Sequence, residues 1–111
     1  MEITNKITHY LNGKIKSIIP YVNNKKNGRA QLFYNNGNIK TEIDYTDDLE
    51  DGYIRTYYKD GSLESVETYK NGMSNRDLII YNPDGYEIYR RNSYEYINNY
   101  QDICIEYHRH F

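Results

Sequence analysis

Three histidines and one cysteine are the side chains best suited to metal binding or nucleophilic catalysis in this 111-residue chain: His9, His108, His110 and Cys104. His108 and His110 stand two apart, so on a strand they share one face at a separation that suits two ligands of one ion. A third ligand would have to come from the far end of the chain, at His9, and nothing in the spacing specifies it. A surface histidine pair is the simpler reading, and no metal site is expected. Cys104 lies between Ile103 and Ile105 with no basic neighbour to favour its thiolate, so it reads as a small buried residue rather than a nucleophile. A single cysteine also excludes an intrachain disulfide, which suits a reducing compartment.

Carboxylates gather in "DYTDDLED", Asp44 to Asp51. The glycine and terminal glutamate of a calcium loop are missing there, so a solvated loop is the reading. The chain has no glycine-rich phosphate loop, nucleophile elbow or Cys/His zinc pattern. It is therefore expected to be non-enzymatic and to need no cofactor.

The elements that would position these groups are repeated. "YLNGKIKSIIPY" (Tyr10 to Tyr21), "YNNGNIKTEIDY" (Tyr34 to Tyr45) and "YKDGSLESVETY" (Tyr58 to Tyr69) carry the same chemistry in each column, and "NPDGYEIYRRNS" from Asn82 is a weaker fourth copy. Gly13, Gly37, Gly61 and Gly85 recur every 24 residues. A fixed period of this size means stacked supersecondary units.

Asn12-Gly13, Asn36-Gly37, Asp60-Gly61 and Asp84-Gly85 read as tight two-residue type I′ hairpin turns. That register sets Tyr10 opposite Ile15, Tyr34 opposite Ile39 and Tyr58 opposite Leu63. Beyond each turn, strict alternation puts Ile15, Ser17, Ile19 and Tyr21 on one face, as it does Ile39, Thr41, Ile43 and Tyr45, and Leu63, Ser65, Glu67 and Tyr69. Longer polar connections ("NNKKNG", "TDDLED", "KNGMSNR") then lead to the next strand. The fold expected is all-β: an antiparallel meander of repeated β-hairpins, eight or nine strands forming an elongated or curled sheet. One repeat domain spans 1–111, with repeats at about 8–31, 32–55, 56–79 and 80–93. Residues 94–111 are expected to form a C-terminal cap, with a turn at Asn98-Asn99 and a last strand through Ile103, Ile105 and Tyr107, a short helix near Tyr94–Tyr100 being the alternative for its start.

A mean hydropathy of -0.99 is low for a folded domain, but 15 tyrosines and two phenylalanines supply area that hydropathy scales undercount. The net charge of -2 hides a dipole: residues 1–40 hold seven basic groups against Glu2, and the remainder carries -8. No stretch is long and apolar enough to span a bilayer, and "MEITNKITHY" lacks the basic segment and apolar run of a secretory signal. The cytoplasm is the expected compartment.

On the face opposite the alternating aliphatics, His9, Phe33, Tyr57 and Tyr81 recur at the same period, flanked by Lys16, Lys40, Glu64 and Ile88. An exposed aromatic row of this kind suits a protein partner. Asp47, Asp48 and Asp51 complete the candidate partner-binding set. Nucleic acid is not the expected ligand, because a groove tracking its backbone needs positive charge along its whole length. Free edge strands and the charge dipole permit a homodimer.

A leading Tyr, then Asn-Gly or Asp-Gly, Ile/Leu-Lys/Glu-Ser/Thr, a closing Tyr, and a polar loop ending at Gly28 or Gly52: this pattern resembles the MORN-repeat-variant family, of the bacterial and phage-borne type often labelled antitoxin-like. It covers roughly residues 8–93. Arg76 departs from it where glycine is expected, and Asn82 replaces the leading Tyr. With no Trp in the chain, the lipid binding attributed to some MORN proteins is not carried over. The resemblance implies a non-enzymatic interaction module that neutralises or scaffolds a protein partner such as a toxin. The alternative is a phage or mobile-element inhibitor of a host defence nuclease, its acidic half mimicking nucleic acid.

Overall fold

A computed structural model describes residues 2–92; the expected cap at 94–111, with Cys104, His108 and His110, lies outside them. Nine strands follow one another: β1 (Ile3–His9), β2 (Ile15–Val22), β3 (Lys25–Lys26), β4 (Gly28–Phe33), β5 (Ile39–Thr46), β6 (Leu49–Tyr57), β7 (Leu63–Lys70), β8 (Met73–Tyr81) and β9 (Glu87–Arg91). They form one open antiparallel sheet in the order β1-β2-β4-β5-β6-β7-β8-β9, with β3 paired to the end of β2. The described residues contain no helix. The expected all-β meander of hairpins is what the chain builds.

The bends at the four glycines are equivalent, yet they are not type I′ turns. Gly13 N–H donates to the Tyr10 carbonyl at 2.9 Å, and Tyr10 N–H donates to the Lys14 carbonyl at 2.8 Å. The same two bonds recur at Tyr34–Asn38, Tyr58–Ser62 and Asn82–Tyr86. Each loop has three residues, of which only the glycine takes a positive φ, between 90° and 95°. That is a type I turn closed by a glycine bulge. Asn12, Asn36 and Asp60 brace it by accepting, through Oδ1, the amide two residues on, at 2.9 Å each. In the fourth unit Asn82 takes over, accepting from the Asp84 and Tyr86 amides at 3.0 Å.

The extra loop residue moves the register. Ile15, Ile39 and Leu63 pair with His9, Phe33 and Tyr57, and not with the leading tyrosines. One step further, Lys16, Lys40, Glu64 and Ile88 are bulged residues with no cross-strand partner. A bulge interrupts the two-residue alternation. Ile15, Ile39 and Leu63 therefore lie on the opposite face from Ser17-Ile19-Tyr21, Thr41-Ile43-Tyr45 and Ser65-Glu67-Tyr69, which corrects the expected sharing of one face.

True type I′ turns occur at the other ends of the strands. Asn23-Asn24 (φ 51° and 70°), Asp47-Asp48 (47° and 72°) and Asn71-Gly72 (50° and 85°) close pairs such as Thr46 with Leu49 and Lys70 with Met73. The expected long connections are thus two-residue turns followed by an irregular step at Gly28, Gly52 or Arg76. All three of these residues take a positive φ.

Register fixes two faces. The front carries the row Thr8, Ser17, Leu32, Thr41, Thr56, Ser65, Ile80 and, two residues further along each strand, Ile19, Ala30, Ile43, Ile54, Glu67 and Leu78. The back carries Ile7, Ile18, Gln31, Glu42, Arg55, Val66, Ile79 and Arg90. The molecule is 17 Å across its thinnest direction, one sheet deep. Among the described residues only Ala30 and Ser17, both on the front, are buried.

With so little burial, contacts between successive hairpins hold the sheet in phase. Tyr10 OH donates to the Phe33 carbonyl at 2.5 Å, Tyr34 OH to the Tyr57 carbonyl at 2.5 Å, and Tyr58 OH to the Tyr81 carbonyl at 2.7 Å. Each such bond contributes about 1 kcal/mol net. At the opposite end, Asp48 N–H reaches the Lys26 carbonyl at 2.9 Å and Gly72 N–H the Glu50 carbonyl at 2.8 Å. The first three units are thereby joined in succession at both extremities, and the third is joined to the fourth through Tyr58.

Candidate interaction surface

The structure keeps His9, Phe33, Tyr57 and Tyr81 in one row along the glycine-bend end of the back face. Their cross-strand partners are Ile15, Ile39, Leu63 and Glu87, not the expected Lys16, Lys40, Glu64 and Ile88. Because the aromatics occupy alternate sheet positions, they recur about every 10 Å with aliphatics between them. The result is a continuous apolar stripe. His9 and Ile15 are exposed, whereas Phe33, Ile39, Tyr57, Leu63 and Tyr81 are half-buried against one another.

Below the stripe the back face turns polar. Tyr57 OH donates to Glu42 Oε1 at 2.8 Å, and Gln31 Nε2 to Glu42 Oε2 at 3.3 Å. Burial, reinforced by the bond to Glu42, pushes the Tyr57 phenol above its ordinary range. Arg29 pairs with Asp44 at 3.0 Å, and the other Asp44 oxygen accepts Tyr53 N–H at 3.0 Å. Arg55 lies over the Tyr53 ring at 4.8 Å, and its Nη1 is buried without a hydrogen-bond partner. Past this network, Tyr53, Val66, Thr68, Asp77, Ile79 and Arg90 line a concavity of about 320 Å³.

The acidic half of the candidate set lies elsewhere. Asp48 Oδ1 accepts Lys26 N–H at 2.7 Å, Asp47 accepts from Asn27 Nδ2 at 3.4 Å, and Asp51 sits 3.4 Å from Lys70 Nζ. These groups are at the type I′ end of the sheet. Nine residues of β6 separate Asp48 from Tyr57, about 30 Å of extended chain. The stripe and the acidic loop do not converge on one site.

On the front, Lys16 Nζ stands 5.7 Å from the Tyr10 ring and Lys40 Nζ 5.9 Å from the Tyr34 ring. Between the two lysines, with Tyr10, Ser17, Leu32 and Phe33, is a second concavity of about 210 Å³. Among the described residues no three of His, Cys, Asp and Glu are grouped as a metal ion would need.

Sequence reasoning passed over the back-face network and an apolar patch on the first hairpin, where Ile3 is 68% and Ile7 47% exposed. The signal was present in "ITNKITH", whose isoleucines alternate with polar residues toward the same side as His9.

Searches of curated proteins and of solved structures returned no match. A family model did match: the MORN repeat variant, over residues 6–23, 26–47 and 50–71. The last two stretches start 24 residues apart, the period of the glycine bends, and together the three cover more than half of the chain. Each holds one glycine bend with the strand that follows it, so the recurring structural unit and the recurring sequence unit coincide. Such repeats form interaction modules, and this chain belongs to the MORN repeat variant family.

Proposed function

We propose that the chain is a cytoplasmic, non-enzymatic module that binds a protein partner along its back-face stripe and neutralises or scaffolds it, as antitoxin-like members of the family are held to do. One observation carries this reading: an unbroken aromatic and aliphatic stripe from His9 to Tyr81, stiffened by the hairpin register and bordered by the charged network of Arg29, Glu42, Asp44 and Arg55. An apolar centre with a polar border is the usual anatomy of a protein interface, and tyrosine gives contact area at low entropic cost. Asp47, Asp48 and Asp51 are each held by a neighbouring unit, which supports the stripe over nucleic-acid mimicry as the binding surface.

The test is affinity capture from the native host, with mass spectrometry to identify the partner. Phe33→Ala with Tyr57→Ala should abolish capture while circular dichroism shows the sheet intact, and reversing the charge at Asp47, Asp48 and Asp51 should leave capture in place. Capture that survives the aromatic changes and is lost on charge reversal would transfer the assignment to the acidic loop.

A further inference from the structure

We infer that the front face is closed by a second copy of this chain, the two sheets packing face to face about a two-fold axis that runs along the strands between β5 and β6. The front presents Ile19, Leu32, Ile43, Ile54, Leu78 and Ile80 across a sheet one layer deep, and the single chain buries none of them fully. A sheet face of this composition needs cover.

Charge on this face is sorted by strand order, and that selects the cover. Lys6 on β1, Lys16 on β2 and Lys40 on β5 lie in the first half of the sheet; Glu50 on β6 and Glu64 and Glu67 on β7 lie in the second. Register places Lys6, Glu50 and Glu67 on the front. Lys16 and Lys40 are placed there by their tyrosines, and Glu64 by its 3.3 Å bond from Thr56 Oγ1. Arg91 on β9 is taken up near Glu67, at 3.8 Å.

The sheet has eight positions in its main path. A two-fold axis along the strands, between the fourth and fifth, lays the sixth position of one copy over the third of the other. β7 then covers β4, which runs between β2 and β5. Because the axis preserves height along the strands, the partner's Glu64 arrives at the level of the bulged lysines Lys16 and Lys40, to which it is the equivalent repeat position. It enters the 210 Å³ concavity between them, over Leu32. Symmetry makes this contact twice. The other in-plane two-fold, across the strands, would set each basic half against itself, which like-charge repulsion disfavours.

Outer strands about 34 Å apart and some 20 Å of paired strand give roughly 1,400 Å² of total buried surface, the size of a stable specific interface. Two twisted sheets can pack in this way with strands inclined by about 30°. The back-face stripe stays free, so the contact is independent of partner capture.

The experiment is sedimentation velocity on the full chain at low ionic strength, where a species of twice 13.4 kDa is expected. Lys16→Glu with Lys40→Glu, and separately Glu64→Lys, should each weaken self-association by at least about tenfold. An equimolar mixture of the two variants should regain it, because in the mixed dimer one symmetry-related contact keeps its native sign and the other is reconstituted with reversed sign, a rescue that misfolded chains could not give. If Glu64→Lys loses the sheet signature in circular dichroism, Glu64→Gln replaces it and should still weaken the dimer. A monomer at every concentration, a dimer indifferent to both variants, or a mixture that fails to reassociate would each overturn the inference, and none of them would touch the stripe.

Discussion

Gly52→Ala is expected to be the most damaging single methyl group that can be added to this chain's glycines. Gly52 has φ +125°, and a Cβ there would stand 2.8 Å from Asp44 Oδ2 and 2.9 Å from Asp44 Cβ. An L residue in that backbone region costs on the order of 1–2 kcal/mol. The clash adds to this, because Asp44 is anchored on both sides, by Tyr53 N–H and by Arg29, at 3.0 Å each. Swinging it away gives up a charge-assisted bond to a backbone amide and a surface ion pair, roughly another 1.5 kcal/mol after solvent screening. The sum is about 3 kcal/mol, a large fraction of what a domain of this size possesses. Gly13→Ala is the control: its φ is +90°, nothing lies within 4 Å, and only the backbone strain remains. Gly28→Ala should fall between them, because its new Cβ would meet Pro20 Cγ at 3.2 Å. Urea denaturation at neutral pH ranks the three directly. A Gly52→Ala loss no greater than that of Gly13→Ala would show that Asp44 is not fixed by its two bonds, and the account of that end of the sheet would fail.

Arg76 offers the reverse experiment, since it holds φ +80° where the earlier units have glycine. Arg76→Gly keeps the backbone bonds to Ser74 Oγ and Arg91 Nε and relieves about 1 kcal/mol of left-handed strain, at the loss of the exposed side chain's own interactions, which are worth less at a solvated position; a higher melting temperature is the expected result. Alkaline titration is the remaining prediction. Burial raises the phenol pKa of both Tyr57 and Tyr69, helped by Glu42 at the first and by Glu67 and Glu50 at the second. A raised folded-state pKa means the neutral phenols' contribution is complete below about pH 10, the unfolded value, and is lost as pH climbs through the folded one. The urea midpoint should therefore be flat from pH 7 to 9 and fall beyond pH 10, with a smaller fall in Tyr57→Phe.

The repeat, its period and the antiparallel meander were legible because the Asn-Gly and Asp-Gly dipeptides punctuate alternating segments at constant intervals. The turn type was not. Asn-Gly serves both a two-residue type I′ turn and a type I turn closed by a glycine bulge, and the choice moves Ile15 from Tyr10 to His9. Bulges at Lys16, Lys40 and Glu64 leave no compositional mark, so the sides of Ile15, Ile39 and Leu63 could not be read from alternation. The turns at Asn23-Asn24 and Asp47-Asp48 were hidden for the opposite reason: neither contains the glycine that announces such a bend, and the polar residues around them blur into one long connection. The aromatic row survived these errors because a shift common to every unit preserves translation from one unit to the next. What changed is its setting: aliphatic neighbours in place of charged ones at His9, Phe33 and Tyr57, and half-burial in place of exposure at Phe33, Tyr57 and Tyr81.

The three tyrosine hydroxyl bonds point the same way along the chain, each from one hairpin to a carbonyl of its successor. Duplicating a 24-residue segment between Gly37 and Gly61 would supply both the missing hydroxyl and the missing carbonyl, so the sheet could widen by two strands, about 10 Å, without a new kind of joint. Width in this architecture is accordingly a matter of copy number, adjustable by recombination in whole steps. Asn82 stands where the next hydroxyl would be, so a unit joined after it in the same way would need Asn82→Tyr.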